Sequence, residues 1–296
     1  MKRIGFIGTG VMGAAMVARL CHNGYEVRVF NRTRTKAEQT ACVTGAVCTG
    51  SIADAAEGAD AVITMVGYPS DVEEVMQGQG GVFGTARPGT LVIDMTTSSP
   101  SLAVRLYEEG QRKGLHLLDA PVSGGDLGAR DGTLSIMVGG DRESYDRALP
   151  VFSVLGRNIV YMGEAGKGQH TKAANQIAVA GATAAMTEAI LYAEKTGLDP
   201  ETMLRAIGAG AAGSWQITHM APRVLSGDHD PGFFIKHFIK DMRIVEDEMA
   251  ERRTRLPMLH AVLSLYERMA KEGDGDLGTQ ALIRLYRREK TDGGKN

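Results

Sequence analysis

The chain has 296 residues, 43% hydrophobic and 23% charged, with a formal net charge of −2. This is an ordinary composition for a soluble globular protein, and the near-neutral balance gives no electrostatic case for nucleic acid or an anionic membrane. Cys21, Cys42 and Cys48 are odd in number and lack CxxC spacing, which argues against a disulfide framework or a zinc site and fits a reducing, cytoplasmic setting.

The length suggests roughly two domains. The chain starts with an apolar strand and no cleavable leader pattern. Its most apolar helical windows contain Lys, Glu, Asn or several Gly, so no membrane span is expected.

In chain order, short apolar runs alternate with helical segments: "RIGFIG" from Arg3, "YEVRVF" from Tyr25, "ADAVITMV" from Ala59 and "TLVIDM" from Thr90. They continue with "LHLLDAPV" from Leu115, "LSIMVGG" from Leu134 and "NIVYMG" from Asn158. Such runs read as buried parallel strands joined by crossover helices. Residues 1–163 are therefore expected to form a doubly wound, mainly parallel α/β sheet of the Rossmann type.

After Gly163 strand-like runs stop, and helices are predicted over 167–195, 200–209, 236–253 and 257–271. Gly197 stands where a helix C-cap would want it. Residues 164–296 are read as an all-α substrate and oligomerisation domain, with a disordered tail from Glu289. No internal repeat is present.

"GFIGTGVMGAAM" holds Gly8, Gly10 and Gly13 in GxGxxG spacing. It follows the first strand and opens a helix at Val11, the context in which the pattern indicates a dinucleotide site. Gly8 would allow the tight turn, Gly10 the approach of a pyrophosphate and Gly13 close strand–helix packing. Val11 and Met12 would offer N–H groups at the helix start.

The second strand ends in Asn31, Arg32 and Thr33, where an NAD site would usually carry Asp or Glu on the ribose. Arg32 suits a 2′-phosphate, and Asn31 and Thr33 add neutral hydrogen bonds, so NADP(H) is favoured over NAD(H). The bland alternative is that the arginines only solvate the next helix. Loops at later strand ends should complete the site, with Met65 and Val66 towards the adenosine and linker and Thr97 towards the nicotinamide ribose.

"DAPVSGGDLG" presents Ser123, Gly124 and Gly125, a hydroxyl and two unobstructed N–H groups that would seat a carboxylate; a simple positive-φ turn is the alternative. "GKGQHTKAANQIAVAG" sets Lys172, Asn175 and Gln176 on one helical face at offsets of three and four. That face is either solvated or lines a polar site.

No metal-ligand cluster is visible, and "DHD" at Asp228–Asp230 reads as a loop turn. Lys172 is thus the best candidate for proton transfer, as an ammonium whose pKa burial lowers. Asn175 and Gln176 would hold the substrate hydroxyl and carboxylate.

The motifs "GFIGTGVMG", "DAPVSGG", "GKGQHTKAANQ" and "HFIKDM" together resemble those of the β-hydroxyacid dehydrogenases, the group of 3-hydroxyisobutyrate dehydrogenase, tartronate semialdehyde reductase and glyoxylate/succinic semialdehyde reductase. The resemblance covers nearly the whole chain. It implies a 6-phosphogluconate-dehydrogenase-like fold, Lys172 as acid/base, and Ser123, Gly124 and Gly125 on the substrate carboxylate. It also implies Lys240 beside the cofactor and Asp241 supporting the catalytic region.

Two departures bear on substrate. Gln176 stands where many 3-hydroxyisobutyrate dehydrogenases have a second Asn, and "NRT" looks more like the NADP-using reductases. Asn175 and Val179 replace the His and Glu of 6-phosphogluconate dehydrogenases, which disfavours decarboxylation. Retention of Lys172 separates the chain from many imine reductases.

The resulting expectation is an NADPH-dependent reductase of a small semialdehyde or oxo acid, without metal, acting reversibly as a 3-hydroxyacid dehydrogenase and assembled as a homodimer or homotetramer. The rivals are an NAD-dependent 3-hydroxyisobutyrate or L-serine dehydrogenase and a non-catalytic NADP-binding scaffold or sensor. Trp215 is expected either as a pocket wall or in core packing.

Overall fold

The computed structural model describes residues 1–292, and its chain divides into two compact units, Met1–Lys172 and the residues from Ala173 onward. The first unit holds strands β1 (Arg3–Ile7), β2 (Glu26–Phe30), β3 (Val47–Cys48), β4 (Ala61–Thr64), β5 (Leu91–Asp94), β6 (His116–Asp119), β7 (Val122–Ser123), β8 (Leu134–Gly140) and β9 (Gly156–Gly163). Its helices are α1 (Val11–His22), α2 (Arg34–Thr44), α3 (Ile52–Ala56), α4 (Pro69–Gln77), α5 (Val82–Thr85), α6 (Pro100–Arg112), α7 (Gly125–Asp131) and α8 (Arg142–Leu155).

Period-two alternation decides the layering. Ile4, Phe6, Ile63 and Ile93 enter a core shared with Met16, Val17 and Leu20 of α1. Ile7, Val62 and Val92 enter a second core with Val72 of α4 and Leu102 and Leu106 of α6. Both faces of the central strands are therefore buried.

The strands run in the order β3-β2-β1-β4-β5-β6, all parallel. The order reverses between β1 and β4, so the loops at their carboxyl ends splay apart and leave a crevice.

The sheet is mainly parallel, as expected, and departs from that direction only beyond β6. β8 runs antiparallel to both β6 and β7. The pairs Leu118 with Gly140, Asp119 with Gly139, Val122 with Ile136 and Ser123 with Ser135 keep one register, so β7 continues β6 across Ala120 and Pro121.

β9 pairs only with β8 among the described residues and leaves Arg157, Asn158, Val160 and Met162 exposed, so it is not the buried strand expected. Two register shifts interrupt its ladder, at Leu134/Ser135 and Val138/Gly139. β3 has two residues, too few to leave a pattern in the sequence.

Helix α9 (Lys167–Thr196) starts within the first unit, because the backbone of its opening turn is bonded to the sheet end. The second unit continues with α10 (Pro200–Gly208), a π-helical turn at Gln216–Met220, α11 (Ala221–Leu225), α12 (Ile235–Glu251), α13 (Pro257–Lys271) and α14 (Leu282–Asp292). Its main core gathers Phe238, Met242 and Val245 of α12 with Leu259, Tyr266 and Met269 of α13. Tyr266 is fully buried and satisfies its hydroxyl by donating to the Thr279 carbonyl at 2.7 Å.

α11 and α14 were not expected. α14 carries helical backbone through Asp292 and so corrects the disordered tail for residues 289–292; residues 293–296 lie outside the described residues. No helix among the described residues is long and apolar enough to cross a membrane.

Phe238 meets Tyr266 edge-on, with ring centroids 5.1 Å apart. Phe238→Ala should cost about 3–5 kcal/mol by removing a fully buried ring. A urea titration followed by Trp215 emission would register this as a lower midpoint, and an unmoved midpoint would contradict the core assignment.

Candidate functional site

Three glycines at the end of β1 have three separate reasons to be glycine. Gly8 takes φ +102, and a Cβ there would lie 2.2 Å from the Met65 carbonyl oxygen. A Cβ on Gly13 would lie 1.9 Å from the Gly8 carbonyl oxygen, so α1 packs on the loop backbone to backbone.

A Cβ on Gly10 would meet nothing within 4 Å. Gly10 is the N-cap of α1, and no side chain caps that helix. The first N–H groups of a helix have no partner inside it, so those of Val11 and Met12 are available to an anion at the positive end of the dipole. Thr9 adds a buried hydroxyl without a hydrogen-bond partner. Open space, uncapped N–H groups and an orphaned hydroxyl suit the pyrophosphate of a dinucleotide.

At the end of β2, Asn31 works inside the chain. Its Oδ1 accepts from the Thr9 N–H at 3.0 Å and its Nδ2 donates to the Thr33 carbonyl at 3.0 Å, tying the glycine loop to the β2–α2 turn. Thr33 is the N-cap position of α2. Arg32 is exposed and pairs with Asp71 of α4 at 3.1 Å. The β2 terminus itself lacks a carboxylate, but the fold brings one to it.

Met65 and Val66, both partly buried, extend from β4. The Val66 N–H donates to Thr96 Oγ1 at 3.0 Å. Thr97, partly buried, lies in the loop after β5, between two residues held by Gln169. Gln169 is 1% exposed; its Nε2 donates to the Thr96 carbonyl at 2.7 Å and its Oε1 accepts from the Ser98 N–H at 2.9 Å.

Beneath this loop, Asp94 Oδ1 accepts from Thr64 Oγ1 at 2.7 Å and from the Thr96 N–H at 3.0 Å. Asp119, its register partner on β6, accepts from the Gly166 N–H on Oδ1 and the Gln169 N–H on Oδ2, each at 2.8 Å. Burial pushes the Asp119 carboxyl up to about 6 despite these bonds, with the Asp94 charge adding to the rise. Gln169, Asp119, Asp94 and Thr96 belong to no motif role assigned from sequence. For Asp94, Thr96 and Asp119 the only signal was a polar residue at the end of an apolar run, while Gln169 lay inside the α9 motif without a role.

Ser123 ends β7, and Gly124 and Gly125 take φ +129 and +63. The positive-φ turn is real, and Gly124 is the N-cap of α7 with no side chain capping it. Lys172, in the first unit, is 7% exposed.

The second unit gathers the remaining expected residues into one chain. Asn175 Nδ2 donates to Gln176 Oε1 at 2.8 Å, Gln176 Nε2 donates to Asp241 Oδ2 at 2.6 Å, and Lys240 Nζ lies 2.8 Å from Asp241 Oδ1. Gln176 and Asp241 are 2% and 3% exposed. Lys240 is therefore no ordinary surface lysine: its side chain is 11% exposed.

The polar face of α9 is largely buried rather than solvated. Trp215 is 44% exposed and stacks on His219 at 4.6 Å between centroids, which removes core packing as its role. In the "DHD" turn Asp228 accepts from the Asp230 N–H at 2.9 Å and from Arg223 at 2.8 Å. No group of three or more His, Cys, Asp or Glu able to hold a metal occurs among the described residues.

Residues 3–163 match the family described as the NAD binding domain of 6-phosphogluconate dehydrogenase, and residues 166–286 match the NAD-binding family of NADP-dependent 3-hydroxyisobutyrate dehydrogenase. An uncharacterised oxidoreductase of Bacillus subtilis strain 168 is 49% identical, covering 96% of this chain and 99% of that one. A probable mitochondrial 3-hydroxyisobutyrate dehydrogenase-like protein of Arabidopsis thaliana is 46% identical, covering 95% and 84%.

The 2-hydroxy-3-oxopropionate reductase of Escherichia coli K12 is 35% identical, covering 95% and 96%. Among solved structures, Mycobacterium tuberculosis 3-hydroxyisobutyrate dehydrogenase with L-serine is 33% identical, with a TM-score of 0.86 over 97% of this chain and 99% of that one.

Two measurements test the local physics. Gly10→Ala should leave thermal stability near wild type, because its Cβ meets nothing, yet weaken dinucleotide binding by about 1–3 kcal/mol through overpacking. Equal binding by wild type and variant in a fluorescence titration would mean that nothing seats closely at Gly10. For Asp119, a folded-state carboxyl at about 6 against an ordinary 3.8 favours folding while protonated. That contribution, about 3 kcal/mol, is complete below about pH 4 and is lost as pH rises through about 6. Comparison of urea unfolding of wild type and Asp119→Asn at pH 5 and pH 7 should show the wild type alone gaining from acidification through this group.

Proposed function

The chain belongs to the 3-hydroxyisobutyrate dehydrogenase family of NAD(P)-dependent oxidoreductases, and from that premise we propose that it is an NADPH-dependent reductase of a small carboxylate-bearing semialdehyde or oxo acid. The observation that carries the reading is a lysine buried to 7% exposure on a turn held to the end of the sheet. Lysine is almost never fully buried unless paired, and a buried ammonium is held at one place, as proton transfer requires.

The chemistry supplied by a bound nicotinamide dinucleotide is hydride transfer to or from carbon. The proton side of the reaction falls to Lys172. Its ammonium donates to the carbonyl oxygen as charge develops there and takes the proton back in the dehydrogenase direction. The Ser123 hydroxyl and the N–H groups of Gly124 and Gly125 receive the substrate carboxylate and fix the angle of the carbonyl. Asn175 and Gln176 bind the remaining substrate oxygens, with Asp241 holding Gln176 and Lys240. A homodimer or homotetramer remains part of the proposal, by analogy with the family.

Cofactor choice rests on Arg32. An exposed ion pair such as Arg32–Asp71 is worth about 0–1 kcal/mol, so a 2′-phosphate that accepts a charge-assisted bond competes well for the guanidinium. The second reading, an NAD-linked 3-hydroxyacid dehydrogenase, draws on Asp71, a carboxylate beside the same position.

Rates of NADPH and NADH oxidation against succinic semialdehyde, glyoxylate, methylmalonate semialdehyde and tartronate semialdehyde decide between them. Lys172→Ala should lower kcat by about 10²–10⁴. Arg32→Ala should raise the NADPH KM about tenfold or more, the loss of a charged hydrogen bond, and leave that for NADH unchanged. Equal effects of Arg32→Ala on both cofactors would favour the NAD-linked reading, and a fully active Lys172→Ala would refute the proton role.

A further inference from the structure

Three polar groups of Gln169 are committed within the first unit. Its N–H reaches Asp119, its Nε2 the Thr96 carbonyl, and its Oε1 the Ser98 N–H. Lys172 follows three residues later, on the same side of the helix.

Asp119 holds the same turn from below, accepting from Gly166 as well as from Gln169. Space for the carboxylate is made by two glycines. A Cβ on Gly139 would lie 2.5 Å from Asp119 Oδ1, and one on Gly168 would lie 2.8 Å from Oδ2 and 2.4 Å from the Met137 carbonyl. The start of α9 thus meets the sheet backbone to backbone, with a carboxylate in place of the usual local N-cap.

We propose, resting on the reading of Lys172 as proton donor, that Gln169 and Asp119 are positioning residues that hold the Lys172 turn at a fixed distance from the loop carrying Thr97. Three features separate this from simple core filling. A leucine and a methionine would fill the same volume without desolvating a carboxylate. The bonds of Gln169 go to residues on either side of Thr97, the position expected to meet the nicotinamide ribose. Thr96 then passes the restraint on through its hydroxyl to the N–H of Val66 after β4. Strand ends, cofactor loop and lysine turn form one bonded unit, and a displacement of about 1 Å in such an arrangement can cost about 100-fold in rate.

The test uses Gln169→Met, which keeps the volume and removes the side-chain bonds, with Asp119→Asn as a second variant and Lys172→Ala in parallel. Gln169→Met should lower kcat by about 100-fold at saturating cofactor and displace the proton-donor limb of the kcat pH profile. In the cofactor-free protein the amide of Ser98, which loses its acceptor, should exchange with deuterium faster. In a Lys172→Ala background Gln169→Met should cause no further loss, since it acts through the lysine. Asp119→Asn, which keeps one acceptor, should change kcat and the pH profile in the same direction by less, and this comparison serves if Gln169→Met does not fold. Wild-type kcat and pH profile in the folded variants, beside an inactive Lys172→Ala, would overturn the positioning role alone. A fully active Lys172→Ala would instead remove the proton role and the inference with it.

Discussion

Gly8 presents its carbonyl oxygen where a Cβ on Gly13 would sit 1.9 Å away, while its own missing Cβ leaves room for the carbonyl of Met65 at 2.2 Å. Three backbone segments, from β1, α1 and the end of β4, therefore converge more closely than any side chain permits. This contact aims α1 along the sheet, leaves its N-terminus uncapped over the crevice, and sets the spacing between the two loops that diverge at the β1/β4 reversal. A bulkier residue at either glycine would have to push the helix or the loop away, and the open volume at Gly10 would lose its walls.

Around that crevice the molecule buries polar groups in quantity and satisfies most of them. Asp94, Thr64, Thr96, Asp119 and Gln169 are all under 9% exposed, and each makes the bonds described above. A buried polar group without a partner costs about 1–3 kcal/mol, so a network of this kind is stable only in one arrangement. The rise of the Asp119 carboxyl shows that its burial is not fully offset by the two N–H donors. The molecule tolerates that cost at the root of α9, beside its buried lysine.

How much of this was legible in the sequence depended on separation along the chain. The glycine loop was readable because its cause is local: a strand, three glycines and a helix within a dozen residues. The chain from Asn175 through Gln176 was half readable, since helical periodicity put those side chains together, while Asp241, 65 positions away, came only through the family resemblance. Gln169 stood inside a quoted motif without a role because its partners Thr96 and Ser98 are 73 and 71 positions away. Asp71 escaped notice for the same reason, 39 positions from Arg32. The reversal of β8 was hidden because apolar runs look alike whichever way a strand points, and the register across Ala120 and Pro121 exists only once β8 is in place.

The irregular pairing of β9 bears on how the protein behaves at high concentration. A strand at the rim of a sheet offers unpaired N–H and C=O groups to any other extended chain, and an even rim with exposed Val160 and Met162 would be a ready template. Here the two register shifts break the rim, so regular pairing with β8 runs only from Asn158 to Tyr161. That is shorter than the average strand of about 5–6 residues, and such irregularities also twist the strand away from a straight partner. The broken ladder thereby works against growth of the sheet by addition of further strands.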